Sequence, residues 1–428
     1  MIYLLLVTLL VLLLVSYYFC GKDFFAPATM LLVMFSISTV LSIYNINYWK
    51  FSLGLSTYNL IVCCMLISLI VNSIAHSYKK KRKKCVETIH PIKEKYLIFI
   101  VLYMILCLFI RIYLVRSIIG SGSILNQMAQ FRMATSYSSE EVSFPTWATQ
   151  LINLGSAIIY VVIFNLAYYW NELTKNVKTL SIVSILLWVI NFLLTAARFE
   201  VFSMFISGVF IVYMVRIKQT GRYRKLKLKE LVKIVFVFLI AMLIFYFISN
   251  IVGRASDKHI IEYIAGYLGS EIPNLDLFIK RPPKEPVVWG QETFFQLIQS
   301  LRRHNVIDVP YLTIHKEIRV SNGHSLGNTY TALRDYYYDF GFGGALIMHT
   351  IFSLIFSFIY ENIKRNPKGS YIIIFSTVYS CVVFYVFNNS FFGNDLTVGF
   401  AIKVIEVYIL YSILCGKKRF RIKRRRYV

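Results

Sequence analysis

The sequence predicts an all-α polytopic membrane protein of about eleven spans, with one long loop before the last three. Three observations predict it. Hydrophobic residues make up 57% of the chain, mean hydropathy is +0.61, and charged residues make up 16%, against about 25% in ordinary soluble domains. The apolar residues fall in runs of roughly 17 to 24, the length a helix needs to cross a ~30 Å hydrocarbon core. The charges between those runs sort by side.

In chain order the predicted spans are 2–20, 24–43, 57–75, 96–115, 147–169, 180–196, 199–215, 231–250, 338–360, 370–390 and 395–415. Met1 to Cys20 has no basic segment ahead of its apolar run, so it reads as the first span and not as a cleaved leader. The stretch 180–215 is apolar for 36 residues, interrupted only by Thr195-Ala-Ala-Arg-Phe-Glu200. One helix of that length would be roughly 54 Å long, too long for an ordinary span. Two helices with Arg198 and Glu200 at the turn are therefore expected. The organisation is a membrane bundle over 1–250, a loop over 251–337, three spans over 338–415 and a basic tail over 416–428.

The net charge of +25 does not point to nucleic acid, because it lies in short blocks between spans and not on a free basic domain. Parity places six segments on one side: 21–23, 76–95, 170–179, 216–230, 361–369 and the tail. With Lys233 at a span edge they hold 30 of the 46 basic residues and six of the 21 acids. The opposite side holds 15 basic residues and 14 acids, and Lys403 and Glu406 lie inside the last span. The positive-inside rule then puts the N-terminus outside and the C-terminus in the cytoplasm. Cys63, Cys64, Cys107 and Cys381 fall within spans, and Cys20, Cys85 and Cys415 near the basic side. Neither disulfides nor a metal site is expected from that distribution.

The sequence lacks a phosphate-binding glycine loop, HExxH and Gly-x-Ser-x-Gly. Lys403 and Glu406 are predicted to pair within their helix, and Arg111 and Arg116 to snorkel to headgroups. The outer side is more informative. Arg198, Arg254 and Arg334 each sit where a span meets the outer interface. Guanidinium is suited to bidentate phosphate contacts, so three of them predict a site for a lipid-linked diphosphate. The segment Ser321 to Gly341 is polar and aromatic just outside a span, with Tyr336, Tyr337 and Tyr338 between Asp335 and Asp339. Upstream, EYIAGYLGSEIPNLDLF reads as a helix either lying in the interface or packing on the bundle.

Three segments carry a family resemblance: the TAARFE hairpin, YIAGYLGSEIPNLDLFI, and NTYTALRDYYYDFGFGG entering the next span. In these, and in its many-span layout, the chain resembles the Wzy-type polymerases that join oligosaccharide repeat units of bacterial surface polysaccharides. The resemblance implies a GT-C-like, metal-independent glycosyltransferase of the cytoplasmic membrane, with no cofactor. Its donor and acceptor would be undecaprenyl-diphosphate-linked glycans, and a chain-length co-polymerase and a flippase would be partners. Arg198, Arg254 and Arg334 would hold the diphosphate. Asp335, His324 and Asp339 are the candidate bases, with Asp335 first or else orienting Arg334. Tyr330, Tyr336, Tyr337 and Tyr338 would meet the glycan. Two other readings are an O-antigen ligase-like transferase, and a lipid-linked oligosaccharide flippase or other transporter. A structural scaffold would explain the topology but not the outer arginines.

Overall fold

The computed structural model describes residues 1–78, 87–137, 144–195, 198–220, 260–283, 285–310 and 316–416. Among these, nine helices are long and apolar enough to cross a membrane. Seven lie in the first half: α1 (Ile2–Phe19), α2 (Pro27–Tyr44), α4 (Leu55–Ser77), α5 (Glu94–Ile119), α7 (Thr146–Tyr169), α8 (Lys175–Leu193) and α9 (Arg198–Thr220). A one-turn α3 (Ile46–Trp49) and a short α6 (Ile124–Tyr137) lie between them. The long loop carries α10 (Ile260–Gly269), α11 (Glu271–Lys280), α12 (Phe295–Arg303) and a hairpin of β1 (Arg319–Ser321) and β2 (His324–Gly327). Then follow α13 (Ala332–Arg365), α14 (Gly369–Val383) and the 17-residue α15 (Val398–Leu414). The chain is thus an all-α multi-pass membrane protein. The expected span 231–250 lies outside the described residues.

The apolar stretch 180–215 forms two helices. The first ends at Leu193 and the second begins at Arg198, so two helices share a length no single span needs. α13 starts six residues earlier than the expected span at 338. Its first nine residues are set off by Gly341, whose φ of 67° interrupts the helix. A left-handed φ of this kind suits glycine, which has no Cβ to clash. The segment Ala332 to Phe340 is therefore a separate helical piece above the spanning part.

The predicted parity appears as two polar ends. At the basic end Asp23, fully buried between α1 and α2, accepts from Tyr213 Oη at 2.8 Å, Tyr360 Oη at 2.6 Å and Lys364 Nζ at 3.0 Å. Glu361 pairs with Lys364 at 2.7 Å and with His76 at 3.0 Å. Glu87 takes Lys218 at 2.7 Å, Tyr411 Oη at 2.8 Å and the Gly369 N–H at 2.9 Å. The His90 N–H reaches the Cys415 carbonyl at 2.9 Å, and Tyr169 Oη the Ile89 carbonyl at 2.6 Å. Of the six segments assigned to this side, the described parts of 21–23, 76–95, 216–230 and 361–369 are tied in directly, and 170–179 adjoins through Asn176 to Glu94 at 3.4 Å, while the tail after 416 lies outside the described residues.

At the opposite, loop end, Asp276 accepts from the Gly54 N–H and Thr57 Oγ1, both at 2.7 Å. The hairpin side chains Ser321 and Asn322 donate to the Trp49 and Tyr48 carbonyls at 2.8 and 3.0 Å. Of α11, Glu271, Ile272, Pro273, Asn274, Leu275, Asp276 and Phe278 are buried. That helix packs on the bundle with most of its surface covered.

Polar groups also join the helices between the ends. On the α4–α13 seam the fully buried His349 bonds Ser68 Oγ through Nε2 at 2.7 Å and Tyr385 Oη through Nδ1 at 2.6 Å. Ser68 also meets Ser353 at 2.9 Å. Such side chains hold helices together where lipid offers no hydrogen-bonding alternative. One expectation for the spans does not hold, and a second holds only as electrostatic attraction at a distance. Arg111 does not snorkel. It is buried and donates to the Asn191 carbonyl at 2.7 Å, because α8 covers this side of α5. Lys403 and Glu406 make no ion pair among the described residues. Lysine ahead of glutamate is the poorer order on a helix, and the Lys403 ammonium lies over the Tyr160 ring, 5.1 Å from its centroid.

The basic-end knot around Asp23 predicts a large loss in Asp23→Ala, about 3–5 kcal/mol, because Lys364 would stay buried with one partner fewer. Adding Lys364→Met should restore part of it. Unfolding midpoints of the purified variants check this. Full additivity of the two substitutions would contradict it.

Candidate functional site

The loop-end site is assembled from segments far apart in sequence. α11 supplies Phe278. The stretch after Gly290 supplies Glu292 and Thr293, the residues just before β1 supply Lys316 and Glu317, β1 opens with Arg319, and the outer piece of α13 supplies Arg334 to Asp339. The hairpin that fixes the third of these turns at Asn322 and Gly323, with φ of 50° and 76°. Asn-Gly is the pair a two-residue hairpin turn favours.

Arg334 is the centre, 2% exposed. Its Nη1 pairs with Glu292 at 2.9 Å and Asp335 at 3.3 Å, and its Nη2 with Glu317 at 2.9 Å. Its guanidinium carbon lies 4.8, 5.4 and 5.3 Å from the ring centroids of Phe278, Tyr330 and Tyr338. Three carboxylates around one cation, inside three aromatic faces, make a strongly held charge. Arg319 extends the cluster, pairing with Glu317 at 3.0 Å and bonding the carbonyls of Leu277 at 2.9 Å and Arg281 at 3.0 Å.

Asp335 is shared between Arg334 and Lys316, so its carboxylate helps to position the guanidinium. Asp339 accepts from the backbone N–H of Thr293 at 2.6 Å and of Glu292 at 3.1 Å. The loop that carries Glu292 to Arg334 is thus pinned by Asp339, two turns of helix away from Arg334 at most. Arg334, Asp335, Asp339, Tyr330 and Tyr338 therefore belong to one cluster.

His324 lies outside this cluster, and the tyrosines are mostly packed. His324 stacks on Tyr48, ring centroids 3.7 Å apart, because the hairpin carrying it docks on residues 48 and 49. Tyr330 is buried, with its hydroxyl donating to the Glu317 carbonyl at 3.0 Å and accepting from Arg319 Nε at 3.1 Å. Tyr336 is fully buried and donates to Asn389 Oδ1 at 3.1 Å. Neither of these tyrosines presents an open ring face for a sugar. Tyr337 is half-buried, edge-on to Phe278 with centroids 6.4 Å apart, and Tyr338 is half-buried beside Arg334. Arg198 opens α9, and its side chain lies outside the described residues, as does all of Arg254.

Glu292, Glu317, Lys316, Arg319 and Phe278 were not singled out in the sequence. One signal for them existed. The outer side carries nearly equal numbers of acids and bases, and an arginine buried there needs carboxylates.

Burial pushes the Glu317 carboxyl up, but the Arg334 guanidinium, its own backbone N–H and Arg319 outweigh that and hold it below the usual carboxylate range. A depressed carboxylate stabilises the fold at neutral pH and loses that contribution as pH falls through its folded value. Glu317→Gln is therefore expected to melt below wild type at neutral pH, with the difference closing below about pH 4.3. Melting curves across that range check this, and a pH-independent difference would contradict it. No protein-family model, curated protein or solved structure matches the chain.

Proposed function

We propose that this chain is a lipid-linked oligosaccharide polymerase, a glycosyltransferase of the Wzy type working at the outer face of a bacterial cytoplasmic membrane. The observation that carries the proposal is the loop-end cluster of Arg334, its carboxylates and its aromatic faces, on the opposite end from the basic segments. Carboxylates and guanidinium together suit a ligand that offers hydroxyls and phosphate, and the half-buried rings of Tyr337 and Tyr338 beside them suit a sugar face. The positive-inside rule faces the basic end to the cytoplasm, leaving the cluster and the N-terminus outside.

In this reading an acceptor hydroxyl of one undecaprenyl-diphosphate-linked repeat unit attacks the anomeric carbon of the donor glycan. The new glycosidic C–O bond forms as the bond to the diphosphate breaks, and undecaprenyl diphosphate departs. Arg334, with Arg198 and Arg254, stabilises the charge that develops on the leaving group. Glu292 and Glu317 are the displaceable partners of Arg334, being 24% and 35% exposed at the side chain. Asp335 positions Arg334. Asp339, which has no ion pair among the described residues, receives the acceptor proton. A chain-length co-polymerase and a flippase would adjoin it, as the family resemblance implies.

One observation favours a second reading, a lipid-linked oligosaccharide transporter. Ser68, His349 and Tyr385 form a hydrogen-bonded polar chain inside the bundle, where ionisable groups mark transport paths. A purified protein that elongates a synthetic undecaprenyl-diphosphate-linked repeat unit in proteoliposomes would separate the two.

Arg198→Ala, Arg254→Ala and Arg334→Ala should each lower chain elongation about 100-fold or more, leaving single repeat units at normal protein levels. Arg334→Lys should not rescue, since lysine lacks the planar fork. Surface-polysaccharide ladders check this, and wild-type chain lengths in all three alanine variants would sink the assignment.

A further inference from the structure

Arg111 and Arg334 are both buried, 5% and 2% exposed, but their charges are met differently. Arg334 has carboxylates on both terminal nitrogens. Arg111 donates from Nη1 to the Asn191 carbonyl at 2.7 Å and to Thr195 Oγ1 at 3.5 Å, and both acceptors are neutral. Its Nε has no hydrogen-bond partner. Glu200 lies within electrostatic reach, but it is exposed and forms no ion pair with Arg111 among the described residues.

The neighbouring side chain is in the same condition. Asn191 is fully buried, and neither its Oδ1 nor its Nδ2 has a partner. Asn191 closes the loop-end part of α8, and Thr195 lies in the turn before α9. Three unpartnered polar atoms and one cation without an ion pair among the described residues thus meet at the loop end of α8. Each such atom is costly in a low-dielectric interior, and an unpaired charge costs most. An anion that also makes hydrogen bonds would supply what both side chains lack.

We propose that Arg111 and Asn191 form a binding site for a phosphate-bearing anion under the α8–α9 tip. Arg111 Nε and Asn191 Nδ2 donate to phosphate oxygens, while Asn191 Oδ1 accepts from a hydroxyl carried by the ligand or by water. The site rests on the charge imbalance. Only the choice of a diphosphate as probe rests on the polymerase reading, in which Arg198 opens the next helix close by.

The test warms the purified full-length protein in detergent with farnesyl diphosphate or with inorganic pyrophosphate. Either ligand should raise the unfolding midpoint of the wild type. A shift from farnesyl diphosphate alone identifies a lipid-linked anion, and a shift from both identifies any diphosphate. Arg111→Met and Asn191→Leu should each lose the shift. Without ligand, Arg111→Met should melt about 2 °C or more above wild type, because an unneutralised charge is gone. No shift with either ligand, an undiminished shift in Arg111→Met, or a ligand-free Arg111→Met that melts below wild type would overturn the site. Polymerisation by a protein that fails this test would leave the polymerase reading standing and remove this site alone.

Discussion

Lipid supplies no hydrogen bonds and no screening, so a polar group within this bundle is costly unless it finds a partner inside the protein. That constraint explains where the charges are. Asp23 is fully buried yet bound by two tyrosine hydroxyls and a lysine, and Arg334 is buried yet bound by three carboxylates. His349 has a hydroxyl on each ring nitrogen. Arg111 differs in that its hydrogen-bond acceptors are neutral, the imbalance on which the proposed anion site rests.

The two ends of the bundle answer the constraint differently. At the basic end, the termini of α4, α9, α13 and α15 are joined by side chains that reach directly across, as Glu87 does to Lys218 and Tyr411. At the loop end, long excursions of chain are anchored to the bundle. Asp276 grips the start of α4, and the β1–β2 hairpin hangs on residues 48 and 49. The first arrangement is a clasp. The second builds a platform that holds Arg334 and its partners at the loop end.

Hydropathy made the spans legible because their apolar runs have membrane length, and ten of the eleven expected spans coincide with described helices. The break after Leu193 was also legible, since 36 apolar residues exceed one span. The start of α13 was misplaced because Arg334, Asp335 and Asp339 look too polar for helix continuing into a membrane, and the part played by Gly341 depends on its φ of 67°. The hairpin at Asn322-Gly323 has a legible turn pair, but its strands are too short, three and four residues, to show a period-2 pattern. Tyr330 and Tyr336 were given to the glycan on composition, whereas packing around Arg319 and Asn389 buries them. Pairings such as Arg334 with Glu292, 42 residues apart, leave no local pattern, and only the near-balance of outer charges hinted at them.

The central claim is that the Arg334 platform faces outward while the Asp23 and Glu87 clusters face the cytoplasm. Single cysteines at Trp289, 79% exposed at the loop end, and at Asn171, exposed at the basic end, test it most directly in a chain whose seven native cysteines are replaced. With a membrane-impermeant maleimide on intact cells, position 289 should label at once and position 171 only after permeabilisation. Labelling of 171 but not of 289 in intact cells would contradict the orientation, and with it an outward-facing site.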